Sequence, residues 1–192
     1  YGMMNSGGDH ARGTILAYDI TTNAYSKVFD FDGSNSGSFP LGSLTVATNG
    51  KLYGMTQGGG NNNLGVLFEF NTNTDSFTKI IDFNYYNGSE PHGSLMQASN
   101  GKLYGMTRHG GSYGNGVFFE FDPSSNIFIR KHSVKGLSQG FNYGRFPSGD
   151  LTQASNGNLY GMMYGGKYDV GIIFEYNMMS DSLFRRADFN SV

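Results

Sequence analysis

The sequence predicts an all-β fold, a β-propeller built of four-stranded antiparallel blades, and three observations support it. The tripeptide Tyr-Gly-Met recurs at residues 1, 53, 104 and 160, at spacings of 52, 51 and 56 residues. Short segments rich in Phe, Val and Ile alternate with turn residues, and no segment has a capped helical pattern. Repeat units of about 50 residues are typical of propeller blades.

Composition excludes several classes of protein. The 192 residues include 30 Gly, 16 Phe and 13 Tyr but no Trp, and only 15% of them are charged. A net charge of −2 argues against a nucleic-acid groove, because phosphate binding needs clustered cations. We expect no membrane span, because no apolar run approaches about 20 residues. Cysteine is absent, which excludes disulfides and thiolate metal sites.

The first two strands of each unit, A and B, form a hairpin. In the second unit strand A is expected from Leu44 to Thr48, and strand B begins at Lys51. Between them stands Asn49-Gly50, a pair that favours a two-residue type I′ turn. The same pair recurs at residues 100–101 and 156–157. We therefore expect the same tight hairpin in three units.

Strands C and D complete the unit. Strand C begins at Val66 and reads V-L-F-E-F, with Val66, Phe68 and Phe70 on one face. Its equivalents begin at Val117 and Ile172, and strand D runs from Phe77 as F-T-K-I-I-D-F. The chain is therefore expected to be a single propeller segment, with repeat units at 1–43, 44–94, 95–150 and 151–192.

Counting strands indicates an incomplete ring. The first unit starts within strand B, so the chain supplies 15 strands, or about 3.75 blades. Only three residues follow Phe189, too few to return to the innermost position. We expect closure by further blades of the same chain, in a larger ring, or by another chain. A closed four-bladed form is the alternative.

The repeated text also resembles a known family. Residues 49–70, N-G-K-L-Y-G-M-T-Q-G-G-G-N-N-N-L-G-V-L-F-E-F, are similar to the GloVer-type tandem repeat, a kelch-like family of exported bacterial proteins. The Gly-Gly pair after strand B and the paired large residues Phe70 and Phe77 resemble kelch blades, although those usually carry Trp at the second position. The resemblance covers the whole chain and implies a propeller. It also implies an extracellular or cell-surface location.

Most repeated residues are expected to be structural. The repeated tyrosines and methionines would pack one blade on the next. Asp30, Asp82 and Asp188 would bond backbone amides near the end of strand D. Glutamates at 69, 120 and 175 occupy equivalent positions, which predicts a repeated structural role rather than an acid–base pair.

The long loops are the candidate binding region. B-to-C and D-to-A connections are long and emerge on the same face, whereas A-to-B and C-to-D turns are short. Aromatic rings beside amide and guanidinium donors suit sugar rings or peptide backbones. The alternative is that these residues merely close their own loops. The candidate binding residues are Tyr85, Tyr86, His109, Tyr113, Tyr143, Arg145 and Tyr168.

No catalytic set, metal site or cofactor site is predicted. The four histidines lack metal-binding spacing, and no G-x-S-x-G motif occurs. Residues 30–37 only faintly resemble a calcium loop, because the terminal Glu is missing.

Taken together, these features favour a non-catalytic binding propeller that recognises a glycan or a protein through its long-loop face. One alternative is a glycan hydrolase or lyase with a site at the central channel. The other is a purely structural spacer.

Overall fold

The computed structural model describes residues 1–136 and 144–190, and in this part of the chain it shows four antiparallel sheets and no helix. We call the sheets blades 1 to 4. Blade 1 contains β1 (Gly2–Met4), β2 (Thr14–Asp19) and β3 (Ala24–Asp30). Blade 2 contains β4 (Thr45–Val46), β5 (Leu52–Thr56), β6 (Val66–Asn71) and β7 (Ser76–Asp82). Blade 3 contains β8 (Met96–Gln97), β9 (Leu103–Thr107), β10 (Val117–Asp122) and β11 (Ile127–Ser133). Blade 4 contains β12 (Arg145–Gln153), β13 (Leu159–Tyr164), β14 (Ile172–Asn177) and β15 (Ser182–Asp188).

The strand order confirms the predicted blades. Each sheet pairs its strands in sequence order, three in blade 1 and four in each of the others. The described residues thus contain the fifteen strands expected from the repeat. The first blade lacks the innermost strand there, as the sequence predicts.

The core lies between blades, because both faces of each inner strand are apolar. Phe68 of blade 2 packs with Phe31 of blade 1, their ring centres 5.4 Å apart. On the other face of the same sheet, Tyr53 packs against Phe121 of blade 3 at 5.9 Å. We call the face turned to the following blade the leading face, and the opposite one the trailing face. Three apolar clusters result, one at each contact between successive blades.

The packing between blades requires glycine at the second position of Tyr-Gly-Met. A Cβ on Gly54 would lie 2.5 Å from Cζ of Phe68, the residue opposite it on strand C. Gly105 stands in the same relation to Phe119. Only glycine leaves room for the ring on the trailing face, which explains why this residue recurs.

The hairpin between strands A and B differs from the expected type I′ turn. Gly50 has a positive φ of 79°, but Asn49 does not have a positive φ, as type I′ requires. Instead, Gly50 N donates to Ala47 O, and Ala47 N donates to Lys51 O, which defines a three-residue loop. The side chain of Asn49 accepts a hydrogen bond from Lys51 N and donates one to the Tyr53 hydroxyl.

Strand A is shorter than expected, two residues rather than five in blade 2. It pairs with strand B through Thr45 and Val46, and polar groups of the same segment also bond to the next blade. Thr45 Oγ1 donates to Leu95 O at 2.6 Å, and Thr48 N donates to Gln97 Oε1 at 2.8 Å. The inner strands of neighbouring blades are therefore joined by polar contacts, while the apolar clusters lie beside them.

A repeated polar network supports the leading faces of blades 2 and 3. Tyr53 donates its hydroxyl hydrogen to Glu69 Oε2 at 2.6 Å, and Lys51 donates to the other carboxylate oxygen at 2.7 Å. Burial and the neighbouring carboxylate raise the pKa of Tyr53 to about 12. The same contacts join residues 102, 104 and 120 of blade 3. The repeated glutamates hold tyrosines, in keeping with the structural role expected for them.

Candidate functional site

The B-to-C loops are fastened to the outermost strand of their own blade. Asn61 N donates to Asp82 Oδ1 at 2.8 Å, so the carboxylate holds the loop that follows the Gly-Gly pair. Asp30 and Asp188 accept the equivalent amides of blades 1 and 4. In blade 3, Ser133 takes the same place with its hydroxyl. The expected role of these aspartates as acceptors of backbone amides is what the structure shows.

The D-to-A loops are fastened to the B-to-C loops. Ser89 N donates to His109 O at 2.9 Å, and His109 N donates back to Ser89 O at 3.1 Å. Ser38 and Gly58 exchange the same pair of bonds between blades 1 and 2. Each of these two D-to-A loops is thus joined to the B-to-C loop of the following blade, and together they form the long-loop edge.

A repeated proline fixes the crossing of these loops. The pattern x-Pro-x-Gly occurs at residues 39–42, 90–93 and 146–149 and uses three of the four prolines. Each proline ring lies on the glycine that precedes a strand C, as Pro147 does on Gly116. The residue before each proline has a positive φ, between 52° and 57°: Phe39, Glu90 and Phe146. This left-handed backbone conformation is uncommon for residues other than glycine. The side chains of these three residues therefore leave the backbone in a different direction from those of a regular β-strand.

Three of the predicted binding residues meet in one area, the tyrosine patch, formed by Tyr85, Tyr86, Tyr113 and Arg130. The guanidinium carbon of Arg130 lies 3.8 Å from the centre of the Tyr86 ring. Arg130 also donates to the Tyr86 hydroxyl at 2.9 Å and to its carbonyl at 3.0 Å. The Tyr85 hydroxyl lies over Gly114, the residue that follows Tyr113 in the sequence. All three rings are exposed, yet Tyr86 is held in one orientation.

A second area, the arginine cluster, consists of Arg145, Phe146, Tyr164 and Asp169. Arg145 donates from one nitrogen to both carboxylate oxygens of Asp169, at 2.9 and 3.2 Å. Its guanidinium carbon lies 5.3 Å from the Tyr164 ring centre and 5.5 Å from that of Phe146. Arg145 Nε is buried and makes no hydrogen bond within the described residues. The cluster is a fixed cation flanked by two aromatic rings.

The remaining predicted residues lie near the arginine cluster or outside the described part. The His109 ring is 5.0 Å from that of Phe146, edge to face, and its Nε2 is 3.9 Å from Glu90. Tyr168 is exposed, with the Lys167 ammonium 5.1 Å from its ring centre. Tyr143 lies outside the described residues.

Sequence reasoning missed Arg130 and Phe146. Arg130 is 44 residues from Tyr86, and nothing in the repeat indicates that a strand-D side chain of blade 3 reaches the loop before it. Phe146 could have been found, since the x-Pro-x-Gly pattern is visible in the sequence.

Two titratable residues of the loops, His92 and Asp32, interact with neighbouring side chains. His92 Nε2 is 3.1 Å from the Gln57 amide, and burial together with Arg108 lowers the pKa of His92. Asp32, in the segment with a faint calcium-loop pattern, accepts bonds from Asn35 and Ser36, and its pKa is lowered to about 2. Across residues 1–136 and 144–190, no group of three His, Asp or Glu side chains is arranged to hold a metal ion.

Comparison with family models identifies the repeat. The model of the Gloeobacter/Verrucomicrobia repeat matches residues 1–192, so the chain belongs to this family, and the resemblance seen in the sequence is confirmed. A search of curated protein sequences finds no significant match.

Solved structures show the same fold. TolB from Acinetobacter baumannii matches 91% of the chain at 12% identity, with a TM-score of 0.58 over 37% of its own length. The extracellular domain of the one-component system BT4673 from B. thetaiotaomicron matches 90% at 12% identity, with a TM-score of 0.60 over 19% of its length. A chain of a nidogen/laminin complex matches 96% at 11% identity, with a TM-score of 0.60 over 59% of its length.

The chain therefore spans between about a fifth and three fifths of these structures, and the likeness establishes a propeller-type fold. No helix in the described residues is long and apolar enough to cross a membrane.

Proposed function

We propose that this member of the Gloeobacter/Verrucomicrobia repeat family is a non-catalytic binding propeller, which recognises a glycan or a protein surface through its long-loop edge. The observation that carries the proposal is the tyrosine patch. Tyr86 is 65% exposed although Arg130 stacks on it and bonds to it. A ring that is both exposed and held in place loses little conformational entropy when a ligand stacks on it.

The arginine cluster extends the same chemistry along the edge. Arg145 offers a guanidinium between Tyr164 and Phe146, and Tyr168 adds another exposed ring. Stacking surfaces with directional donors are what sugar rings and peptide backbones bind. The loops that carry these groups are fastened to strands and to each other, so the surface is largely formed before a ligand arrives.

The proposed location is the cell surface or the extracellular space. Support comes from the kind of proteins with a similar fold, which include an extracellular domain and a member of a nidogen/laminin complex. The low charge of the chain suits contact with a polar, uncharged surface better than with nucleic acid.

Binding is tested with a glycan microarray and with a panel of extracellular proteins, using the chain of 192 residues. We expect Tyr86→Ala to weaken binding of whatever ligand is found by about tenfold or more, since truncating a central aromatic residue costs more than about 1.4 kcal/mol. Tyr25→Ala is the matched control, because Tyr25 is also exposed but lies on the first blade, away from this edge. Equal loss of binding in both variants would contradict the assignment of the site.

Whether a bound glycan is recovered intact or cleaved distinguishes binding from catalysis. Glycans that bind should be recovered intact after long incubation. New reducing ends or unsaturated products would show that the chain is a hydrolase or a lyase instead.

A further inference from the structure

A cleft lies on the long-loop edge between blades 1 and 2. Its volume is about 390 Å³, which is within the range of small-molecule sites. Gly33 and Ser38 of the D-to-A loop of blade 1 line it, together with Gly60 and Asn63 of the B-to-C loop of blade 2. Arg12, from the B-to-C loop of blade 1, also lines the cleft. None of these residues belongs to the tyrosine patch or to the arginine cluster, so the cleft is a separate place on the edge.

The backbone beside the cleft is repeated at the contact between blades 2 and 3, where Tyr85 stands in the place of Gly33. Gly33 O accepts a hydrogen bond from Gly60 N at 2.7 Å, and Tyr85 O accepts one from Gly111 N at 2.6 Å. The φ angle is positive at both positions, 92° at Gly33 and 66° at Tyr85. The two positions therefore share a backbone arrangement and differ in their side chains.

The side chain of Tyr85 occupies the space that corresponds to the cleft. Its hydroxyl lies over Gly114, which stands three residues before strand C, as Asn63 does in blade 2. The ring thus extends from the D-to-A loop of one blade to the B-to-C loop of the next. Both of these contacts join blades that the chain contains, so the difference between them arises from the residue types of the loops. At the contact between blades 3 and 4, the residues that follow Gly136 lie outside the described part.

Two side chains that line the cleft have donors that are unused within residues 1–136 and 144–190. The Arg12 guanidinium carbon is 5.6 Å from the centre of the Phe39 ring, and in this part of the chain it makes no hydrogen bond or ion pair. Asn63 Oδ1 accepts from Gly59 N at 3.1 Å, while Asn63 Nδ2 has no partner among the same residues. Ser38 Oγ is buried and is also unpaired there. A buried polar group without a partner is uncommon in native proteins, so this lining is suited to a polar ligand.

The charges at the cleft favour an anion beside Arg12. Arg12 Nε is 3.6 Å from the place that a Cβ on Gly33 would take, so the guanidinium borders the space that corresponds to the Tyr85 side chain. Asp32 also lines the cleft, but its Oδ1 accepts from Asn35 N and from Ser36 N, each at 2.9 Å. The cation is thus free to bind a ligand, whereas the carboxylate is bound to its own loop.

We propose that the cleft binds the phenol ring of a tyrosine side chain in a peptide or protein partner, in the place that Tyr85 takes between blades 2 and 3. Asn63 Nδ2 donates to the phenol oxygen, and Arg12 binds an acidic group next to that tyrosine. The site lies on the same edge as the tyrosine patch but uses other residues, so either site can be lost without the other.

The first test is a titration of the ¹⁵N-labelled chain of 192 residues with N-acetyl-L-tyrosine, followed by two-dimensional NMR. We expect the amide signals of Gly33 and Gly60 to shift with a dissociation constant of about 1 mM, a value suited to a small and partly exposed ligand. N-acetyl-L-leucine has the same carboxylate without the ring and should bind about tenfold more weakly. Equal binding of the two compounds, or no shift up to about 20 mM, would overturn the proposal. Shifts confined to the amides of Tyr85 and Tyr113 would also overturn it, while supporting the tyrosine patch as the binding site.

Two substitutions at one position separate occupation of the cleft from backbone effects. Gly33→Phe places a ring where Tyr85 has one and should weaken binding of N-acetyl-L-tyrosine by about tenfold or more. Phe is used rather than Tyr, because a hydroxyl would press on Asn63, which stands where Gly114 does. Gly33→Ala is the matched control, since it brings a Cβ to the same positive φ but leaves the cleft open. Its affinity should stay within about twofold of that of the native chain. If Gly33→Phe is folded by circular dichroism and binds as the native chain does, the cleft is not the site.

Arg12→Leu tests the acidic group and copies Leu64, which stands at the same position of blade 2. The native chain should prefer N-acetyl-L-tyrosine to the neutral N-acetyl-L-tyrosinamide by about threefold or more, because only the first offers a carboxylate to the guanidinium. Arg12→Leu should remove this preference and still bind N-acetyl-L-tyrosinamide. A preference that persists in the variant would contradict the role of Arg12.

Discussion

Within residues 1–136 and 144–190, blades 2 and 3 have neighbours on both faces, whereas blades 1 and 4 have a neighbour on one face only. The same Tyr-Gly-Met sequence is buried in blades 2 and 3 and half exposed in blade 4. The repeat thus encodes a pair of complementary faces, and the neighbouring blade decides whether they are buried. Stability within these residues should accordingly be concentrated in the inner blades.

The largest effect should come from a charge placed on an inner leading face. Met106→Asp should destabilise the chain by about 5 kcal/mol, because it removes a packed side chain and buries a carboxylate without a partner. Met162→Asp makes the same chemical change on the exposed face of blade 4 and should cost less than about 1 kcal/mol. Urea unfolding of both variants measures the difference, and similar losses would show that blade 4 is covered as blade 3 is.

Removal of a core ring should rank next. Phe68→Ala should cost about 3–5 kcal/mol, since Phe68 is fully buried between blades 1 and 2. Tyr113→Ala, in the tyrosine patch, should change the free energy of unfolding little. Equal, small losses by urea unfolding would contradict the assignment of Phe68 to the core.

Removing a tyrosine hydroxyl from the polar network should give a smaller difference in stability between blades 3 and 4. Tyr104→Phe removes the hydroxyl that bonds to Glu120 at 2.7 Å in a buried site, and should cost about 1–3 kcal/mol. Tyr160→Phe removes the equivalent bond to Glu175, but the Tyr160 ring is only half-buried and Arg186 still binds the carboxylate. We expect a loss of less than about 1 kcal/mol there, measured in the same way.

The smallest effect should be a pH dependence at the contact between blades 3 and 4. His132 occupies the position of Phe29 in blade 1, and burial and Lys131 lower its pKa against the opposing effect of Asp181. A lowered pKa means that the folded state favours the neutral ring. The stability it contributes is complete above the ordinary value of 6.5 and is lost as the pH falls through the lowered pKa.

This dependence is measured by urea unfolding between pH 8 and about pH 5, the range in which histidine titrates. His132→Phe, which copies blade 1, should flatten the loss of stability at the acid end. The half-buried His92 also has a lowered pKa and would leave a residual slope. An unchanged profile in the variant would show that His132 does not contribute.

Much of the fold could be predicted from the sequence, because the same pattern of strands and turns recurs in each repeat unit. The strands, the blades and the missing first strand follow from periodicity, and the aspartate at the end of strand D follows from its recurrence. The turn after strand A was mispredicted. Asn49-Gly50 has the usual type I′ sequence, but the side chain of Asn49 binds Tyr53 and Lys51 N in a longer loop.

The candidate site was less accessible to sequence reasoning. The residue types of the loops pointed to a binding edge, but the contacts that shape it join distant residues. Arg130 stacks on Tyr86 across 44 positions, and Arg145 meets Asp169 across 24. Such pairings depend on how one blade sits on the next, and no local pattern specifies them.

Amide hydrogen exchange of the individual strands shows whether the two blades covered on both faces are the most stable part of the chain. It should be measured on the native chain in dilute solution. We expect the slowest exchange in β5, β6, β9 and β10, and faster exchange in β2, β3 and β15. Equal protection of all four blades, or the strongest protection in blade 1 or blade 4, would contradict this expectation.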